Sequence, residues 1–231
     1  RRGTGFVYSS KHMSSAEAER KFDHYLGGAL ADVSAREIPM QVGYREKFWH
    51  KNCVAIGLAQ GFVEPLEATA ILLSDHAAST LASQFPQDSD QIRLLCKRFN
   101  ERLRYSWDRV IDFIKLHYFL SDRTDSDFWL ENKDPAMLSN HLKEQLQLWQ
   151  TYSPSKKDFL SYSEIFNSEN FLYVLYGMGF KTAAPELSGH DVNDSQQRIT
   201  AMQRNSETLV QALPSHRDLI EKIKRFGLQR L

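Results

Sequence analysis

Cysteine is scarce: Cys53 and Cys96 are the only two in 231 residues. Two thiols cannot build a disulfide framework, so a reducing cytoplasm is the expected setting. Neither has a Cys-x-x-Cys partner, and the eight histidines (12, 24, 50, 76, 117, 141, 190, 216) never fall in His-Glu-x-x-His register. No metal site is expected, and each histidine reads as structural or exposed. No sign of charge dominates, because 29 basic and 29 acidic side chains cancel. That balance removes the argument for binding nucleic acid or an anionic membrane. No apolar run approaches the ~20 residues of a membrane helix. A Gly-x-Ser-x-Gly elbow is missing, and neither Gly3-Thr4-Gly5 nor Gly27-Gly28 has the spacing of a phosphate-cradling loop. Neither an ATPase nor a complete dinucleotide-binding domain is visible.

What is present is ordinary for a globular chain: 42% hydrophobic and 25% charged residues, which excludes a disordered tail, a collagen and a coiled-coil rod. The size allows one large domain or two small ones. The first residues, Arg1-Arg2-Gly3-Thr4-Gly5, lack an initiator Met and run directly into the strand-like Phe6-Val7-Tyr8. Such a strand needs partners, so the chain is expected to be the carboxy-terminal part of a longer protein.

Residues 3–63 mix strand and helix signals. Ser14-Ser15-Ala16-Glu17 has a capping-box pattern ahead of a helix to about Leu30. Ile38 to Gly43 and Cys53-Val54-Ala55-Ile56-Gly57 follow, the second reading as a buried strand with Cys53 as a small hydrophobe. From Pro65 onward the pattern is helical. One helix suits Leu66 to Leu81. A longer one is marked by Ile92, Leu95, Cys96, Phe99, Leu103, Val110, Ile111, Ile114 and Tyr118, mostly at three- and four-residue spacing. Asp134-Pro135 reads as a helix start, running to about Trp149, with a polar linker at 151–158. An aromatic-dense segment spans Phe159 to Phe180, a polar helix runs from about Asn193 to Leu213, and a short basic helix follows Pro214. The fold class expected is α+β but mainly helical: a small strand-containing part followed by a helical module.

One segment stands apart. Asn52-Cys53-Val54-Ala55-Ile56-Gly57-Leu58 leads through Gly61-Phe62-Val63-Glu64-Pro65-Leu66-Glu67-Ala68-Thr69-Ala70, from strand through glycine-punctuated loop into helix. Such a junction aims unpaired N–H groups and a positive dipole end at whatever sits above it. Read locally, Glu64 and Glu67 complement that dipole and satisfy early amides. Small residues from Ala68 to Ala70 leave room for a ligand, or for close packing.

This segment resembles the hallmark of the flavin-dependent tryptophan halogenase family. Further pieces agree in order. Gly3 to Ser10 resembles the strand that follows a Trp-x-Trp-x-Ile-Pro motif. Val42-Gly43-Tyr44-Arg45 with Phe48-Trp49 and Asn52 resembles a glycine-arginine-tryptophan approach, and Arg109 to Tyr118 resembles an Asp-Phe-Ile-x-x-His-Tyr helix. The resemblance implies an enzyme in which reduced FAD and O2 turn chloride or bromide into hypohalous acid, which reaches an aromatic substrate through a tunnel and a lysine. It implies that Glu67 is the catalytic glutamate, that the amides of Thr69 and Ala70 bind halide, and that Leu58 and Ile71 contact the flavin. Residues 1–75 would then be the carboxy-terminal part of a flavin-monooxygenase-like FAD- and halide-binding domain, and 76–231 the helical substrate module.

The family often has Ser-Thr-Gly where this chain has Ala68-Thr69-Ala70, a change that backbone binding tolerates. The substrate segment, Tyr162 to Tyr173, is shorter than in the free-tryptophan enzymes and lacks their tryptophan. The implied substrate is therefore an electron-rich, indole-type aromatic, with Phe171 and Tyr162 as candidate contacts, although either suits core packing equally well. The nucleotide-binding glycines, catalytic lysine and tryptophan motif would lie upstream of Arg1, so this chain alone is expected to be inactive. A flavin reductase partner and a homodimer are further expectations. Two other readings stay open: a flavin monooxygenase or oxidase without halide use, and a helical module that only binds or assembles.

Overall fold

The computed structural model describes residues 3–159, 161, 163–183 and 189–228. It divides into two compact units, residues 1–183 and 184–231. The first opens with helix α1 (Ser15–Tyr25), where the Ser14 side chain accepts from the Glu17 N–H as its sequence pattern suggests. Four two-residue strands follow: β1 (Gly43–Tyr44), β2 (Trp49–His50), β3 (Cys53–Val54) and β4 (Gly61–Phe62). They form two antiparallel pairs, β1 with β4 (Gly43 opposite Phe62) and β2 with β3 (Trp49 opposite Val54). Gly61 is required here. A Cβ on it would stand 2.7 Å from the Gly43 carbonyl oxygen and the Tyr44 Cα.

The rest of this unit is helical: α2 (Ala70–Ser83), α3 (Ile92–Leu120), α4 (Asp127–Asn132), α5 (Asn140–Trp149) and α6 (Ser168–Gly177). The centre is α3. Its three- and four-residue apolar spacing buries Leu103, Trp107, Val110, Phe113 and Leu116 against α2, β2, α4 and α6. Each such side chain contributes roughly 1.5–3 kcal/mol by leaving water. Leu73 and Ala77 of α2, Leu142 and Trp149 of α5, and Phe171 and Leu175 of α6 complete one core. The expected domain boundary after residue 75 falls within α2, between Leu73 and Ala77 of that core.

The second unit holds α7 (Gly189–Ala212) and α8 (His216–Phe226). Ser215 caps α8 by accepting from the Asp218 N–H, and Gly227, at φ +74°, ends it.

The mainly helical expectation stands, with strands few and short. Three local readings do not. Phe6-Val7-Tyr8 is not a strand: it has no ladder partner among the described residues, and Phe6 and Val7 are exposed. A strand exists only by pairing its backbone groups. Residues 53–57 form no buried strand, because β3 is an edge of a two-stranded hairpin and Cys53 is exposed. The helices expected to begin near Leu66 and at Asp134 are each broken into a 3-10 turn (Leu66–Ala68, Pro135–Met137) ahead of the α-helix. The short α4 has no apolar period and escaped the sequence reading.

Candidate functional site

The segment 52–70 folds so that its turns face α2. The 3-10 turn Gly57–Ala59 packs against that helix, with the Gly57 Cβ position 3.9 Å from Ser74 Oγ. After Pro65 the chain does something unusual. Glu67 (φ +65°, ψ 0°) and Ala68 (φ +50°) take left-handed conformations in succession, and neither is glycine. Each costs about 1–3 kcal/mol, and such strain persists only where the surroundings over-determine it. Pro65 anchors the turn, its carbonyl accepting from the Ala68 N–H at 2.9 Å.

Helix α2 begins directly after this turn. Its first helical bond runs from the Leu73 N–H to the Thr69 carbonyl, so the amides of Ala70, Ile71 and Leu72 precede the ladder. No side chain among the described residues caps them. Glu64 and Glu67 therefore do not satisfy early amides as the local reading supposes. Thr69 is 2% exposed and its Oγ1 makes no hydrogen bond among the described residues. A 14-residue helix whose uncapped amides adjoin an unpaired buried hydroxyl suits a small anion. Leu58 and Ile71 are 77% and 84% exposed. They are two bare apolar side chains on packed neighbouring elements, one of them in the first turn of α2.

Both glutamates turn to α3. Glu67 Oε1 lies 2.8 Å from His117 Nε2, and the next residue, Tyr118, donates its hydroxyl to Glu64 Oε1. Burial first, then the Glu64 carboxylate, push the Tyr118 phenol above its ordinary range. Lys115, one turn earlier, donates to Asn132 Oδ1 at 2.7 Å, and burial lowers its ammonium despite the nearby Glu64. Sequence reading missed these three as site neighbours. The signal that could have found them is the adjacent His117-Tyr118 pair set against two glutamates three residues apart.

An aromatic cluster continues inward from His117. The Phe113 ring meets the His117 ring edge-on at 4.9 Å, stacks on Phe166 at 3.9 Å and tilts against Phe171 at 4.8 Å. Phe171 is 7% exposed and also packs on Trp149 and Phe159. The cavity beside it, lined by Arg109, Asp112, Gln145 and Glu164, measures about 20 Å³. That is room for one or two waters and not for an indole ring. Arg109 and Asp112 form an ion pair there at 3.0 Å, yet burial raises the Asp112 carboxyl. Burial likewise raises Glu164, which accepts from Tyr105. Tyr162 lies outside the described residues. The structure thus gathers Glu67, Thr69, Ala70, Ile71 and Leu58 around one helix start, with Phe171 linked to them through Phe113 and His117. No cluster able to hold a metal ion is found among the described residues, and no described helix is long and apolar enough to cross a membrane.

Comparison with known proteins gives concordant matches. The tryptophan halogenase family model matches residues 1–194. The chain is 33% identical to a 7-chloro-L-tryptophan 6-halogenase of Kutzneria sp., over 96% of this chain and 43% of that protein. A tryptophan halogenase structure from Shewanella frigidimarina superposes with a TM-score of 0.89 at 35% identity, over 97% of this chain and 44% of that one. A flavin-dependent halogenase from Brevundimonas sp. superposes at 0.80 with 32% identity, over 94% and 43%. The chain spans less than half the length of these relatives.

Proposed function

The chain belongs to the tryptophan halogenase family, and from that premise we propose that it serves an enzyme chlorinating or brominating an electron-rich, indole-type aromatic. Residues 1–75 complete its FAD- and halide-binding part, and 76–231 form its substrate module. They act together with a nucleotide-binding part that these 231 residues do not carry, and the chain alone is inactive. Reduced FAD, renewed by a flavin reductase, would with O2 supply the two-electron oxidation that turns halide into hypohalous acid. The enzyme works in the cytoplasm, as a homodimer.

The chain's own residues have separate tasks. The amides of Thr69 and Ala70 hold the halide at the start of α2, where the dipole favours negative charge. Leu58 and Ile71 cover the flavin edge. Glu67 places a carboxylate beside the developing cationic ring and takes up its proton, a role suited to an acceptor in a partly dry site. Phe171 supports the substrate pocket from behind, through Phe113. The observation that carries this reading is the strained, left-handed Glu67 set against an uncapped helix start. Strain of that kind is kept where a side chain must be aimed.

The test is Glu67→Gln in the full-length enzyme. Halogenated product, followed by mass spectrometry, should fall by about 10²-fold or more while FAD binding persists. A wild-type yield removes Glu67 from the mechanism. A hydroxylated product formed without halide dependence replaces the whole reading with a monooxygenase.

A further inference from the structure

Two successive residues of one helix, His117 and Tyr118, reach the two glutamates that flank Pro65. The left-handed pair Glu67-Ala68 lies inside that grip, and the grip is what the local chain lacks. Backbone bonding alone supplies one contact, from Ala68 N–H to the Pro65 carbonyl. Two strained residues need more than one hydrogen bond worth about 1 kcal/mol.

The His117 ring is itself fixed. Its Nδ1 sits 2.8 Å from the carbonyl oxygen of Phe113, one turn back on the same helix. A carbonyl only accepts, so Nδ1 carries a proton. Nε2 is then the nitrogen left to meet Glu67 Oε1 at 2.8 Å, and that contact closes only with a proton between them. The Phe113 ring packs against it edge-on at 4.9 Å, and the His117 side chain is 17% exposed against 32% for Glu67. That ring therefore holds one carboxylate oxygen, Oε1, and leaves the other out of the contact.

We propose that His117 is the positioning residue for Glu67: with its ring anchored on the Phe113 carbonyl, it holds Oε1 and sets the direction in which Oε2 is presented. This rests on the role given to Glu67 above. Because α3 is the core helix, the aim of Glu67 is tied to a deeply packed element of the fold and not only to the turn that carries it.

The experiment is a double-mutant cycle in the full-length enzyme, with His117→Phe and Glu67→Gln singly and together. His117→Phe should lower kcat about 10–100-fold, the cost of a misaimed group, with substrate KM and FAD affinity within about twofold. The double variant should be no slower than Glu67→Gln alone. His117→Gln, which can still donate to Oε1, should recover part of the loss. Near-normal kcat in His117→Phe, or losses that multiply in the double variant, would overturn the proposal. A second readout is independent of turnover. In enzyme labelled with 15N-histidine, the Nε2 resonance of His117 should show a shared proton, and Glu67→Gln should shift it toward an unprotonated nitrogen. An unchanged resonance overturns the positioning claim whatever the activity does. If instead Glu67→Gln leaves product yield intact while the resonance shifts, the contact stands and the catalytic role of Glu67 fails.

Discussion

Helices α3 and α7 are the two longest in the protein, at 29 and 24 residues, and both are legible as helices from their sequence. Their fates differ. Along α3 the apolar stripe is buried, with Leu103, Val110 and Leu116 wholly inaccessible. Along α7, Val192, Ile199, Met202, Leu209 and Val210 remain between 44% and 74% exposed. Its surface carries local pairs such as Arg198 with Asp194 at 2.8 Å, which contribute little in water. Periodicity finds a helix in both, but only a packed partner turns the stripe into stability. The candidate site draws on the first kind. Helix α3 supplies His117 and Tyr118, and a ring can aim a carboxylate only if its own backbone is immobile.

The sharpest way to break the comparison is to make one substitution on each helix. Leu103→Ala removes a wholly buried side chain and should cost about 2–5 kcal/mol in denaturant unfolding. The same change at Leu209, 51% exposed, should stay within about 0.5 kcal/mol. Equal losses would mean that α7 is as well packed as α3.

A smaller effect is expected where α3 grips the turn. Ala68→Gly relieves a left-handed residue at φ +50°, and after the added chain entropy of glycine it should raise stability by about 0.5–1 kcal/mol. The same variant should lower halogenation, since a relaxed turn aims Glu67 less firmly. A variant neither more stable nor slower would show that the turn is not strained.

The smallest expected effect is on pH dependence. Burial lowers His76 on α2 and His141 on α5 below their ordinary 6.5. The unfolded chain then binds more protons than the folded one in the window just below 6.5. Their contribution to stability is whole above that value and is lost as pH falls through it. The buried carboxyls Asp112 and Glu164 are raised and act in the opposite sense, keeping stability at low pH and losing it as pH rises through their folded values. Replacing both histidines by glutamine should flatten the fall between pH 6.5 and 5, and an unchanged slope would assign it elsewhere.

Much of the fold was readable one segment at a time. Ser14 capping Glu17, the α3 stripe and the stop at Pro214 are near-neighbour effects, which the order of residues fixes by itself. The segment from Asn52 to Ala70 was also readable as the place where a site should be. What failed were readings that needed a distant partner. Phe6-Val7-Tyr8 has strand-forming residues and no ladder partner among the described residues, and Cys53 sits in an apolar run yet on an exposed hairpin edge. Phe171, expected to suit core packing as well as substrate contact, packs in an aromatic cluster with Phe113, Trp149 and Phe159.

By itself, then, the sequence determined that most of the chain is helical, the cap that starts α1, and which face of α3 is apolar. These follow from dihedral preferences, capping and spacing within a few residues, whereas the family of residues 52–70 entered only by resemblance. Tertiary structure decided that Glu67 and Ala68 turn left-handed, that the start of α2 stays uncapped, and that a histidine fifty residues away takes the carboxylate oxygen. None of these is a local minimum of the chain. The last of these exists because the packing of α3 against α2 brings the His117 ring to the turn that carries Glu67.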